Sequence, residues 1–107
     1  MQRLRHRADF LAAATGVKVP TAAFVLQARK RGDDGPIRVG FTASRRIGTA
    51  VERNRVRRRL KEVVRLSAAT SLFRGHDYVL VGRRAALSLP FEQMTQDFER
   101  ALRRVCK

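Results

Sequence analysis

The alternation of apolar and polar residues predicts the strands of this chain. Residues 37–44 alternate, which is the pattern of a strand with one buried face. Residues 17–30 are also β-like, and Pro20 within them predicts an edge strand or a break between two short strands. Because residues 32–36 form a dense turn signal, we expect the two stretches to pair as a hairpin. The continuous apolar run of residues 78–81 predicts a further strand that is buried.

Apolar residues at helical spacing predict three helices. The first covers residues 4–14 and ends near Gly16. The second covers residues 50–69, and its single apolar stripe consists of Val56, Leu60, Val63 and Val64. Pro90 opens the third helix, since its missing N–H costs nothing in a first turn. The predicted inner face of the third helix consists of Phe91, Met94, Phe98, Ala101 or Leu102, and Val105.

These elements fit one domain of residues 1–107, with helices against a sheet, which is an α+β architecture. No apolar stretch approaches the ~20 residues of a membrane-spanning helix. Charged residues interrupt the N-terminal segment, so it lacks the apolar run of a secretion signal. We therefore expect a cytoplasmic protein with no membrane partner. The single cysteine, Cys106, excludes an internal disulfide and is predicted to be a packed or half-exposed thiol.

Net charge indicates the kind of partner. The chain has 24 Lys and Arg residues against 9 Asp and Glu, which gives a formal charge of +15 at pH 7. A folded domain with this much like charge repels itself and pairs most favourably with a polyanion. Because nothing indicates a membrane, nucleic acid is the predicted partner.

The basic residues concentrate in the predicted second helix. Six of the nine residues from 53 to 61 are basic, and Arg53 and Arg57, like Arg57 and Lys61, are like-charged i,i+4 pairs. Each such pair costs a few tenths of a kcal/mol when no partner is present. A solvated helix face normally mixes the two signs of charge, so this segment favours contact with a polyanion. If all six basic residues contact phosphate, the log–log salt slope of binding is about −4.

The segment before this helix allows two interpretations. A strand end delivers Ser44, Arg45 and Arg46 to the start of the helix. Free N–H groups at a helix N-terminus, next to arginines, form a natural phosphate site. The same residues also fit an ordinary glycine-containing loop in which Thr49 caps the helix.

An ordered set of motifs in this region resembles the signature of the bacterial ribonuclease P protein family. It consists of Ser-Arg-Arg-Ile-Gly at 44–48, Ala-Val at 50–51, Arg-Asn-Arg at 53–55, Arg-Arg at 57–58 and Lys-Glu at 61–62. The flanking sequences agree: Asp-Phe at 9–10, Phe-Val-Leu at 24–26, Val-Gly-Phe at 39–41, Asp-Tyr at 77–78 and Leu-Pro-Phe at 89–91. The resemblance covers essentially the whole chain.

The resemblance implies the fold in more detail. Family members have a single layer of helices on a four-stranded sheet in the order α-β-β-β-α-β-α, similar to the second domain of ribosomal protein S5. The crossover that contains the Arg-Asn-Arg helix is left-handed, against the usual rule.

The resemblance also implies which tasks the RNA subunit and the protein subunit perform. The family's RNA subunit cleaves precursor tRNA by hydrolysis assisted by Mg²⁺, which the RNA and the substrate mainly hold. The protein binds the RNA subunit and the 5′ leader of the substrate, and no obligate protein partner is implied. The sequence is consistent with Mg²⁺ being held mainly by the RNA and the substrate, since we find no carboxylate cluster suited to Mg²⁺. Glu52 and Glu62 are too far apart on their helix for a catalytic pair, and we assign neither a catalytic residue nor a metal ligand.

Carried over residue by residue, the signature predicts two binding surfaces. The residues expected to face the RNA subunit are Ser44, Arg45, Arg46, Arg53, Asn54, Arg55, Arg57, Arg58 and Lys61. The leader is expected in a cleft between the basic helix and the sheet, where aromatic rings stack on bases. The candidates there are Phe10 and Phe41, with Phe24 added although core packing is the preferred interpretation for it. Ala14 and Gln27 stand where members often carry aromatics, so fewer rings line this cleft.

Three other classes of protein compete with this interpretation. A ribosomal-type RNA-binding protein shares the composition and fold class but does not require the signature spacing. A DNA-binding protein is not supported by any helix-turn-helix pattern. A nuclease acting without RNA lacks a plausible base, because His6 and His76 are far apart in sequence.

Overall fold

The computed structural model describes residues 2–67 and 75–105 and folds them into one mixed sheet with helices packed on it. The elements are β1 (Gln2–Arg3), α1 (Arg7–Ala13), β2 (Val17–Pro20), β3 (Phe24–Lys30), β4 (Arg38–Thr42), α2 (Ala50–Ser67), β5 (His76–Gly82) and α3 (Phe91–Val105). Short 3-10 turns at Arg45–Ile47 and Arg84–Leu87 precede α2 and α3. The α+β class is confirmed, and the order after β1 is the predicted one.

The N-terminal residues add a fifth strand to the four that were predicted. β1 pairs in parallel with β4, with Gln2 opposite Arg38 and Arg3 opposite Val39. The Gln2 N–H donates to the Ile37 carbonyl at 2.8 Å, and the Leu4 N–H donates to the Val39 carbonyl at 3.0 Å. The prediction that the first helix starts at residue 4 is wrong, since α1 starts at Arg7. Residues 2–4 instead form hydrogen bonds with the open edge of β4.

The position of β5 corrects the predicted hairpin between β3 and β4. The strand order is β1-β4-β5-β3-β2, so β5 lies between the two strands that were expected to pair. It is antiparallel to β3 and parallel to β4, and the hairpin of the fold is β2 with β3. A strand with apolar side chains on both faces is best buried at the centre of a sheet. The parallel β4–β5 pair needs a long crossover, which contains α2, and the left-handed path implied for it stays a prediction.

Both faces of the sheet are covered, so the predicted single layer of helices is wrong. Tyr78 and Leu80 of β5 belong to the main core, which also contains the buried residues of α2 and α3. Val79 points to the opposite face and packs with Leu4 and Ala13 in a smaller cluster under α1. Since side chains alternate along a strand, the continuous apolar run at 78–81 requires cover on each face.

The predicted helical stripes are confirmed where the structure describes them. Val56, Leu60, Val63 and Val64 are each at most 3% exposed, and Met94, Phe98, Ala101 and Leu102 are buried as well. Phe91 is the exception, with 36% of its surface exposed. Residues 68–69, at the predicted end of the second helix, and Cys106 lie outside the described residues.

A buried ion cluster links the strands of the sheet where β4 and β5 begin. The Asp77 carboxylate is fully buried and accepts hydrogen bonds from Arg31 Nη1 at 2.5 Å and Arg38 Nη2 at 2.7 Å. Burial raises the pKa of Asp77, but the hydrogen bonds from Arg38 and Arg31 outweigh burial and hold that pKa below its ordinary value. Arg38 also lies 3.4 Å from Asp9 of α1. The cluster therefore ties α1, β4 and β5 together beside the candidate site.

Candidate RNA interface

The basic helix α2 begins with a reciprocal cap. Thr49 Oγ1 accepts a hydrogen bond from the Glu52 N–H at 3.2 Å, and Glu52 Oε1 accepts one from the Thr49 N–H at 3.0 Å. The hydrogen bond from the Thr49 backbone, followed by the charge of Arg84, lowers the pKa of Glu52. The structure therefore shows the Thr49 cap of the second interpretation, and phosphate binding at this turn stays a prediction.

The turn before the cap requires Gly48. This residue has φ 147°, and a Cβ there would lie 2.3 Å from Glu52 Oε1 and 2.9 Å from Arg84 Nη1. Arg84 donates to the Ile47 carbonyl and lies 3.2 Å from Glu52 Oε2, so it holds the turn against the start of α2. Sequence reasoning missed Arg84, because nothing in its own segment indicates a partner 37 residues earlier.

The predicted RNA-subunit residues line the outer side of α2 and of the turn before it. Exposed members are Ser44, Arg45, Arg46, Asn54, Arg55 and Arg58, and half-buried ones are Arg53, Arg57 and Lys61. Within the described part of the chain, no carboxylate lies within 4.0 Å of the charged nitrogens of these basic residues. Arg57 instead donates to Asn54 Oδ1 at 2.9 Å. The face is therefore cationic without internal compensation.

Arg59 has a different role from its neighbours on α2. Its Nε donates to the Ala86 carbonyl at 2.7 Å, its Nη2 donates to the Leu89 carbonyl, and its guanidinium lies 4.4 Å from the centre of the Phe91 ring. Burial, and then the charge of Arg55, lowers the pKa of Arg59. Arg59 thus fastens α2 to the segment before α3. The count of six phosphate-contacting residues between 53 and 61 is reduced to five.

A groove runs along β4 where β1 ends, and it brings several predicted residues together. It has a volume of about 120 Å³, and its lining includes Arg3, Phe10, Phe41, Arg57 and Lys61. Lys61 lines the groove and two neighbouring depressions. RNA-subunit candidates and leader candidates therefore share one site.

The two rings of the groove reach it from opposite faces of the sheet. Phe41 packs against the main core, whereas Phe10 packs against the smaller cluster under α1. Gly40 makes this possible, because a Cβ there would lie 2.5 Å from Phe10 Cε1. Phe24 was wrongly included among the leader candidates. It is fully buried and packs edge-on against Phe98 with ring centres 6.1 Å apart, so no base can reach it.

The acidic residues of the site region are engaged in pairs with arginine. Glu52 pairs with Arg84 and Glu62 with Arg65. No group of three or more His, Cys, Asp or Glu side chains suited to a metal ion occurs among the described residues. In the same part of the chain, no helix is long and apolar enough to cross a membrane.

Comparison with known proteins agrees with this site. The sequence matches the family model described as Ribonuclease P over residues 1–106. It is 45% identical over 103 residues to the ribonuclease P protein component of Gluconacetobacter diazotrophicus, with 95% of this chain and 89% of that protein covered. It is 46% identical over 105 residues to the ribonuclease P protein component of Ruegeria pomeroyi, with 95% and 84% covered.

Comparison of the fold with solved structures leads to the same family. The RNase P protein from Thermotoga maritima superimposes with a TM-score of 0.80 at 28% identity, and the match covers 98% of each chain. A small α+β domain that presents an uncompensated cationic helix has the electrostatic footprint of a nucleic-acid-binding protein. The chain belongs to the ribonuclease P protein family. As a member it is the protein subunit of the endoribonuclease that matures tRNA 5′ ends, with the ribonuclease P RNA and precursor tRNA as its partners.

Proposed function

We propose that the chain uses two adjacent surfaces: the outer side of α2 for the RNA subunit, and the groove along β4 for the 5′ leader. The observation that carries the proposal is the row of basic residues on α2 without a carboxylate partner. Each like-charged neighbour raises the energy of the free protein, and an RNA backbone relieves that repulsion. Ser44, Arg45 and Arg46 extend the same surface from the turn before α2.

The groove is suited to single-stranded RNA. Phe41 and Phe10 are both half-buried, so part of each ring is available for a base to stack on. Arg57 and Lys61, which belong to the RNA-subunit surface, lie beside the rings, so the two surfaces adjoin at the groove. A double helix is too wide for a depression of about 120 Å³, so the proposal places one unpaired base of the leader there at a time.

The chemistry of cleavage belongs to the RNA subunit in this proposal. Mg²⁺ is held by that RNA and by the substrate in this proposal, whereas Asp77, Glu52 and Glu62 of the chain are paired with arginines. The chain carries a formal net charge of +15 and lies between two polyanions, the RNA subunit and precursor tRNA. Neutralised phosphates repel each other less, so precursor tRNA binds and the RNA fills its metal sites at lower Mg²⁺ concentration.

Three further expectations belong to the same proposal. The chain acts as a single domain of residues 1–107, it works in the cytoplasm, and the crossover through α2 is left-handed. The observed parallel pairing of β4 with β5, with α2 between them along the chain, supports the crossover but is compatible with either hand.

Two variants separate the surfaces. Replacing the exposed Arg58 with alanine should weaken binding of the RNA subunit, whereas Arg103→Ala, an exposed arginine on α3, serves as the charge-matched control. Replacing Phe41 with alanine should leave RNA-subunit binding unchanged. It should reduce the affinity of the assembled enzyme for precursor tRNA by about 1–3 kcal/mol, the usual value of one stacked base.

The readout is the affinity for precursor tRNA relative to mature tRNA, which lacks the leader. Phe41→Leu keeps the apolar contact with the core but removes the ring, so it should lose the same preference for the precursor. If Phe41→Ala and Phe41→Leu both keep the full preference, the leader does not lie in this groove.

A further inference from the structure

Lys61 differs from the other described lysines in its surroundings. The sequence has four lysines, of which Lys18 and Lys30 are exposed on β2 and β3 and Lys107 lies outside the described residues. Lys61 is half-buried on α2 and lines three adjoining depressions, with volumes of about 120, 420 and 290 Å³. Its amine is therefore partly removed from water but still open to small molecules.

The depressions around Lys61 combine positive charge with apolar surface. Arg57, one turn earlier on α2, and Arg3 of β1 share the smallest depression with it. Phe41 and Val64 add apolar surface to the depression of about 290 Å³. Within the described residues, no carboxylate lies within 4.0 Å of the Lys61 ammonium. Both the like charges and the apolar surface disfavour the ammonium form and favour the neutral amine.

The pKa of Lys61 shifts in the direction that these surroundings require. Burial is the largest cause and lowers the pKa, and the charges of Arg3 and then of Arg57 lower it further. A neutral amine has a free electron pair and is a nucleophile, whereas an ammonium group is not. At a given pH, a larger fraction of Lys61 is therefore reactive than of a lysine that is surrounded by water.

The same two arginines attract an anionic reagent to the amine. Neither Arg3 nor Arg57 forms an ion pair within the described part of the chain. Arg57 donates to Asn54 Oδ1 and to the Ala43 carbonyl, which leaves further N–H groups of its guanidinium for a ligand. Guanidinium groups bind phosphoryl oxygens well. A molecule that joins a phosphoryl group to an acyl group is therefore directed to Lys61.

We propose that Lys61 is a modification site, at which acyl phosphates acylate Nζ while Arg3 and Arg57 bind the phosphoryl group. The neutral Nζ attacks the carbonyl carbon of the acyl phosphate and forms a C–N bond. The C–O bond to the phosphoryl group breaks, phosphate leaves with the electron pair, and the proton of the amine goes to the departing phosphate. Nothing is oxidised or reduced. The product is a neutral amide, so α2 loses one positive charge.

The modification affects RNA binding because Lys61 belongs to the surface proposed for the RNA subunit. This consequence rests on the proposed function, whereas the reactivity of Lys61 does not. Loss of one of the five available cations of α2 should reduce the log–log salt slope of binding by about 0.7. Bound RNA should in turn cover the amine, so the free protein is acylated and the assembled protein is protected.

The probe is acetyl phosphate, which is incubated with the free protein at mildly alkaline pH. Mass spectrometry of peptides then measures the acetylation rate of each lysine separately. Lys61 should react at least about tenfold faster than Lys18 and Lys30, which is the low end of the enrichment that a cationic site gives an anionic reagent. The two exposed lysines serve as internal references, since they meet the same reagent in the same tube.

Glutamine variants test the role of the two arginines. Arg3→Gln and Arg57→Gln should each slow acetylation of Lys61, and they should slow it more with acetyl phosphate than with the uncharged reagent p-nitrophenyl acetate. Arg5→Gln is the matched control, because Arg5 is exposed near Arg3 but lines a different cavity, of about 570 Å³. The proposal is overturned if Lys61 reacts no faster than Lys18, or if the two variants slow both reagents equally.

Binding of the RNA subunit by the acetylated protein tests the consequence separately. Treatment with acetyl phosphate should reduce the salt slope of the wild type but not that of Lys61→Arg, which has the positive charge without the nucleophilic amine. If Lys61 is acetylated selectively and the slope stays the same, the modification site stands. The assignment of Lys61 to the RNA-subunit surface then fails.

Discussion

Alanine substitution of two neighbouring arginines on α2 should affect two different properties of the protein. Arg58 is exposed, and no carboxylate of the described chain pairs with it. Arg59 donates to two backbone carbonyls and stacks on Phe91. The account therefore predicts that Arg58→Ala changes RNA binding and that Arg59→Ala changes the stability of the protein.

The size of the binding effect follows from the number of free cations. The five residues of α2 that remain available are Arg53, Arg55, Arg57, Arg58 and Lys61. At roughly −0.7 per phosphate contact they give a log–log salt slope of about −3.5, instead of the −4 expected for six. Arg58→Ala should reduce the slope by about 0.7, whereas Arg59→Ala should leave it unchanged.

The size of the stability effect follows from the contacts of Arg59. Alanine at this position removes two charge-assisted hydrogen bonds and one cation–π contact, and it leaves the Ala86 and Leu89 carbonyls without this partner. We expect a loss of about 2–3 kcal/mol in the free energy of unfolding. For a domain of this size the unfolding temperature should fall by at least about 8 °C.

Filter binding of the RNA subunit at four or more salt concentrations measures the slope, and circular dichroism on heating measures the unfolding temperature. The reasoning is refuted if Arg59→Ala lowers the slope as much as Arg58→Ala does and unfolds at the wild-type temperature. That result would place Arg59 against RNA and not against the segment before α3.

Three further predictions concern the elements that hold the site in place. Asp77→Asn removes the charge that neutralises Arg31 and Arg38, so urea unfolding should show a loss of about 3–5 kcal/mol. Because the folded pKa of Asp77 is lowered, its stabilisation is complete above the unfolded value of 3.8 and is lost as pH falls through the lower folded value. Acid titrations of stability should therefore be flatter for Asp77→Asn than for the wild type. Gly48→Ala places a Cβ against Glu52 at φ 147°, and calorimetry should show a loss of about 1–3 kcal/mol.

The basic helix and its apolar stripe could be predicted from local sequence alone. Val56 and Leu60 repeat at helical spacing and are buried, as the periodicity requires. The cationic residues between them are exposed or half-buried for the same reason. The Ser-Arg-Arg-Ile-Gly turn could also be located from the sequence. The sequence did not show whether Thr49 caps the helix after this turn, and the structure shows that it does.

What could not be predicted depends on contacts between distant segments. Gln2–Arg3 carries no strand pattern and becomes β1 only because β4 leaves an open edge. Phe24 and Phe41 look alike along the chain, but Phe24 is fully buried beside Phe98, whereas Phe41 is only half-buried at the rim of the core. Arg59 differs from Arg58 only through carbonyl groups some 30 residues later.

The most direct test of the central claim is reconstitution of leader removal. The protein, a bacterial ribonuclease P RNA and a precursor tRNA are combined at low Mg²⁺, where the RNA alone cleaves slowly, and 5′-end formation is followed over time. The account predicts rapid cleavage only when protein and RNA are both present, and loss of that stimulation when Arg53, Arg55 and Arg58 are all replaced by alanine. If the wild-type protein binds the RNA but leaves the cleavage rate unchanged, the account is contradicted.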